Sequence, residues 1–143
     1  MTSLIFPDVN VWLALNFQIH VHHPAAMRWF ASQDEATILV FCRQTQMGFF
    51  RLITTEAVLG LEVMTQRRCW VLYDRWIEGG KAVLAAEPAG LDSAMRQRMA
   101  ADSPSPKVWT DAYLAAFAET ASLTLVTFDR ALAGKVKGAV LLG

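Results

Sequence analysis

A chain of 143 residues is the size of one domain and can bury a core of its own. Hydrophobic residues make up 54% of it, above the usual range, yet no apolar run approaches the length of a bilayer span. Lys plus Arg (13) equals Asp plus Glu (13), so whole-molecule steering toward a polyanion is weak, and any nucleic-acid contact needs a local basic patch or a metal ion.

LIFPD (4–8) reads as a buried strand that ends on a single carboxylate, Asp8. A helix over Asn10 to about Phe17 follows, with Val11, Trp12, Leu13 and Leu15 on its apolar side. HVHHP is a loop, and Pro24 suits the first turn of a helix over 25–33. TILVF (37–41) is a continuous apolar strand, as expected when both sheet faces are covered. Helices are expected over 44–54 and 63–78, the latter with a broad stripe that includes Cys69, Trp70, Tyr73 and Trp76. A short strand (82–87) and a helix (91–101) come next. Ser105 is expected to cap a long helix that starts at Pro106 and runs to about Ala121. LTLVTFD (123–129) and AVLL (139–142) complete five strands.

Strands alternating with helices predict a three-layer α/β/α fold, with a central, mostly parallel sheet of five strands and one domain over 1–143. No linker or repeat interrupts it. The N-terminus lacks the basic segment and long apolar run of a signal peptide. Cys42 and Cys69 sit in apolar surroundings without metal-ligand spacing and read as buried thiols of a cytoplasmic protein. The five Trp and the apolar surplus point to some surface covered by a partner.

In parallel sheets, ligands bind beyond the carboxyl ends of the strands. That rule places Asp8 and Asp129 on one edge of the molecule. Asp111, near the start of the long apolar helix WTDAYLAAFA, supplies a third acid. Each alone has a plain structural use: Asp8 and Asp129 as helix caps, Asp111 as a complement to a helix dipole. Three caps converging on one edge are harder to explain, because mutual repulsion raises carboxylate pKa values unless a cation is present. A carboxylate-only cluster suits a hard ion, Mg²⁺ or Mn²⁺, better than Zn²⁺, and such sites hydrolyse phosphodiesters.

LIFPDVNVWLAL, FCRQTQMGFFRL (41–52), SPKVWTDAYLAAFA (105–118) and LTLVTFDRAL (123–132) occur in this order and spacing. Together they resemble the PIN-domain family, and more closely the VapC-type toxins of bacterial toxin–antitoxin pairs. The resemblance spans essentially the whole chain. It implies a Mg²⁺-dependent endoribonuclease acting on an RNA substrate, blocked by a small antitoxin and usually paired as a homodimer. By position, Asp8, Asp111 and Asp129 match the metal-binding acids. Asn10 matches a small polar residue after the first acid, and Thr127 a polar residue before the last. The chain departs from the family at its third helix, which usually carries a Glu. Here the stretch reads QTQMGFF; Gln46 is the best stand-in, with Thr45 beside it, and a second metal site loses its carboxylate.

Arg43, Arg51, Lys107 and Arg130 lie near the segments that approach the acidic edge and are candidates for holding RNA phosphates, or plain surface charges. His20, His22 and His23 read as a solvated loop and helix start, with metal binding as the sharper alternative. Two other function classes are weighed. An aspartyl-phosphate enzyme needs a second acid two residues after Asp8, where this chain has Asn10. A PIN-fold interaction protein with weakened or lost nuclease activity is kept open by the missing Glu.

Overall fold

The computed structural model describes residues 3–143. Its core is a five-stranded sheet formed by β1 (Leu4–Pro7), β2 (Ile38–Phe41), β3 (Ala82–Leu84), β4 (Thr124–Thr127) and β5 (Val140–Leu141). The strand order is β3-β2-β1-β4-β5, and every neighbouring pair is parallel. All five strands fall inside the spans expected from the sequence.

Helices cover both faces. The first half of the chain supplies α1 (Val9–Asn16), α2 (His23–Ala31), α3 (Arg43–Ile53), α4 (Glu56–Leu59) and, after a 3₁₀ turn at Gly60–Glu62, α5 (Gln66–Glu78). The second half supplies α6 (Leu91–Arg98), α7 (Val108–Thr120) and α8 (Arg130–Ala133). Successive strand residues point to opposite faces, so each strand feeds two cores. Ile5, Leu39, Phe41, Ala82 and Val126 pack with α1, α3 and α5. Phe6, Val40 and Leu125 pack against the Ala-rich face of α7. Trp12 anchors the first core, stacked on Phe41 with ring centroids 3.8 Å apart and meeting Trp76 edge-on. Asn16 ties the same corner: its amide donates to Trp12 O, and its Oδ1 accepts from Trp76 Nε1 at 2.9 Å. The α5 aromatics Tyr73 and Trp76 therefore belong to the core, while Trp70 stays half exposed.

Three helix starts differ from expectation by two residues or more. α2 opens at His23, inside the expected loop, with Pro24 in its first turn. The helix expected from Val63 begins at Gln66, where the Thr65 hydroxyl accepts from Arg68 N; α4 and the 3₁₀ turn fill the preceding stretch. The long helix starts at Val108, not at Pro106, and Ser105 does not cap it. Pro104 and Pro106 push Ser103 and Ser105 away from helical geometry, which delays the start. Lys107 at the N-cap position has no side-chain acceptor to offer, so Asp111 is the acid of the first turn.

The chain runs outward from β1 to β2 and β3, then returns to place β4 on the other side of β1. This reversal makes a switch point between β1 and β4, with a crevice beyond their carboxyl ends. Pro7 is level with Val126, so the residues that follow, Asp8 and Thr127, emerge side by side. No helix among the described residues is long and apolar enough to cross a membrane.

Candidate active site

Asp8 caps α1: its Oδ1 accepts from Val9 N at 2.6 Å. Its Oδ2 accepts from the Thr127 hydroxyl at 2.9 Å, and that hydroxyl accepts in turn from Asp129 N at 3.0 Å. Thr127, fully buried, is thus the hinge between the first acid and the last. Asp129 caps α8 through Oδ1, which accepts from Ala131 N and Leu132 N. Asp111 pairs with Lys135, Nζ to Oδ2 at 3.5 Å. Cap and site are therefore compatible uses of the same residue: both capping acids spend one oxygen on a helix start.

Burial pushes the Asp8 carboxyl above its ordinary range. The bonds from Thr127 and Val9 oppose the rise, and the like charges of Asp111 and Asp129 add to it. The charges of Asp111 and Asp129 are thus felt at Asp8. Among the described residues, no three His, Cys, Asp or Glu side chains are drawn together tightly enough to chelate an ion as they stand. An oxygen-only set around a half-buried carboxylate whose proton affinity is raised by like charges nonetheless fits a hard divalent cation, which would relieve the repulsion.

A cleft of about 840 Å³ opens from Asp8 and Asn10. On one side α3 contributes Arg43, Gln44, Met47 and Arg51. On another side lie Glu87 and Tyr113, joined by a hydrogen bond from the phenol to Glu87 Oε2 at 2.6 Å. Burial and the Glu87 carboxylate hold that phenol protonated.

Thr45 and Gln46 do not line this cleft; both are buried and committed elsewhere. The Thr45 hydroxyl closes a capping box with Cys42, accepting from Cys42 N at 3.0 Å. Gln46 Oε1 accepts from Arg43 Nη1 at 2.7 Å, so its carbonyl already has a donor. The cleft-side amide is Gln44, whose Oε1 is buried and without a hydrogen-bond partner. Helical periodicity could have found it, since 44, 48 and 52 recur on one stripe. Lys107 and Arg130 are exposed at the starts of α7 and α8, outside the cleft lining. Nothing local in GKVKG (134–138) marks Lys135 as the lysine that turns toward an acid.

The histidines are structural. His23 Nδ1 donates to Ala14 O at 2.7 Å, His22 stacks on Phe128, and His20 Nδ1 accepts from His22 N.

The five-stranded parallel sheet with helices on both faces is the fold of the PIN-domain class. Among solved structures, the Mycobacterium tuberculosis toxin VapC20, described as cleaving the sarcin–ricin loop, superposes with a TM-score of 0.65 at 15% identity, over 92% of this chain and 94% of that one. FitAcB from Neisseria gonorrhoeae gives a TM-score of 0.58 at 20% identity over 96% of each chain. No family model matches the chain. Ribonuclease VapC41 of Mycobacterium tuberculosis is 42% identical over 132 residues, covering 90% of each chain. Ribonuclease VapC44 of the same organism is 33% identical over 129 residues, 88% of this chain and 86% of its own. The chain belongs to the VapC ribonucleases, the PIN-domain toxins of toxin–antitoxin pairs.

Proposed function

We propose that the chain cleaves RNA as a Mg²⁺-dependent endoribonuclease, with Asp8, Asp111 and Asp129 holding the ion and Mn²⁺ able to replace it. The observation that carries this reading is the chain Asp8–Thr127–Asp129 at the β1/β4 switch point, with the like charges of Asp111 and Asp129 helping to raise the half-buried Asp8 carboxyl. Bound Mg²⁺ supplies a Lewis acid for a phosphoryl oxygen and a source of hydroxide near neutral pH. The chain's own part is positioning. Val9 N and Thr127 fix both oxygens of Asp8. Asp129 keeps Oδ2 clear of the helix it caps, and Asn10 lines the cleft beside Asp8. With Thr45 and Gln46 committed elsewhere, one ion suits the set better than two.

Membership of the family supports a cognate antitoxin as partner and a cytoplasmic setting. The exposed Val58, Leu61, Trp70 and Val71 on and around α4 and α5 support a second copy of the chain as a further partner.

The test is incubation of purified protein with total bacterial RNA, with Mg²⁺ or with EDTA. Wild type is expected to give discrete fragments with Mg²⁺ only, and Asp8→Asn none. Folded wild type that leaves RNA intact at every Mg²⁺ concentration would favour the interaction-protein reading that the absent third-helix Glu suggests.

A further inference from the structure

We infer that the α3 side of the cleft is a track for the backbone of single-stranded RNA, on which Arg43 and Arg51 hold different phosphates. The inference rests on the nuclease reading and adds where the substrate lies. Arg43, Met47 and Arg51 recur every four residues, so they form one stripe, and all three line the cleft that leads to Asp8. The two arginines are eight residues apart, about 12 Å along the helix axis. One phosphate cannot reach both, whereas a strand lying along α3 can.

Neither arginine has a carboxylate partner among the described residues. Arg43 is steadied by its bond to Gln46 Oε1, which leaves its remaining donors for an anion. Met47, 61% exposed between them, offers a soft apolar surface to a ribose or base. Glu87 carries a negative charge on another side of the cleft. A carboxylate repels phosphates, so the backbone belongs on the α3 side and the bases toward Tyr113. Because the chain has no net charge, this basic stripe is a local device and not part of a general positive surface. A duplex carries two backbones, and the Glu87 side has no cation among the cleft-lining residues to receive the second.

The test uses Asp8→Asn protein, to prevent cleavage, and a fluorescein-labelled oligouridylate, with affinity read by anisotropy across a salt series. Arg43→Gln and Arg51→Gln are each expected to weaken binding and to flatten the slope of log K against log salt by about 0.7, the loss of one phosphate contact on a single strand. Lys81→Gln, before β3 at the opposite end of the sheet, is expected to change neither. In protein that retains Asp8, and so can cleave, Arg51→Gln is expected to raise KM with kcat retained. Unchanged slopes in both arginine variants overturn the inference. So does equal affinity for the oligouridylate duplexed with oligoadenylate, or displacement by polyglutamate as effective as by unlabelled RNA, which would make the stripe a site for an acidic protein segment. Failure of the nuclease reading shows separately, as intact RNA with wild type and Mg²⁺.

Discussion

Asp8 caps a helix and faces two like charges, and these roles pull on its proton in opposite directions. Burial and repulsion win, so the folded chain holds this proton at pH values above the ordinary 3.8. The unfolded chain releases it near 3.8. Stability from the protonated form is therefore complete below that value and is lost as pH rises through the folded pKa; beyond it, the half-buried anion is a liability. Asn caps a helix about as well as Asp. Asp8→Asn is thus expected to raise the melting temperature in EDTA at neutral pH, with the gain fading in acid. A melting series against pH checks both signs, and equal Tm values at neutral pH would contradict them. Thr127 touches both acids and is fully buried. Thr127→Val removes a donor from Asp8 Oδ2 and an acceptor from Asp129 N, at an expected cost of about 1–3 kcal/mol in urea unfolding, together with a fall in cleavage rate.

At the scale of elements, α1, which Asp8 caps, packs closely on α3. Gly48 allows that approach: a Cβ there would lie 3.0 Å from Val9 Cγ2. Ala is the better helix former by about 1 kcal/mol, but this contact is tight enough to outweigh it. Gly48→Ala is expected to cost about 1–2 kcal/mol and to slow cleavage, with Val9→Ala restoring much of both. A double-mutant cycle measures the coupling; additive effects would mean α1 does not rest on Gly48. The same helix shows why part of the site was hidden. The five strands were legible because they are short apolar runs between breakers, and the three acids because each ends or begins an element. In α3, however, the buried positions include polar Thr45 and Gln46, and the cleft side includes Met47. The resemblance points to Gln46 and Thr45 in place of the usual Glu, and both lie on the buried side of the helix. Two prolines likewise masked where α7 begins, since Ser-Pro resembles a cap and first turn even when the helix opens later.

Across the whole molecule, the acidic edge is held by contacts that the sequence does not announce. The Arg98 guanidinium on α6 bonds the Glu119 side chain on α7 and the Lys135 carbonyl at 3.0 Å. Lys135 in turn reaches Asp111 on α7. One arginine thus joins α6, α7 and the segment before β5, a linkage across 37 residues invisible to local pattern. Both acids in it are partly exposed, so solvent weakens each pair. Arg98→Met is expected to cost about 1 kcal/mol in chemical unfolding. It is also expected to loosen the segment around Lys135, read as faster amide exchange there than in β1; unchanged exchange would show that the clamp is idle.

The bond between Thr127 and Asp8 spans 119 residues, and β1 reaches its last neighbour only after the chain has gone out to β3 and come back. A ribosome makes this protein from the amino end, at about 5–20 residues per second. For most of its synthesis the nascent chain carries Asp8 and the arginines of α3 but neither Thr127 nor Asp129. An enzyme that cuts RNA while still tethered to a machine made of RNA would endanger its own translation. Here the order of the strands postpones that hazard, because Asp8 gains its bond to Thr127 only once β4 has left the exit tunnel.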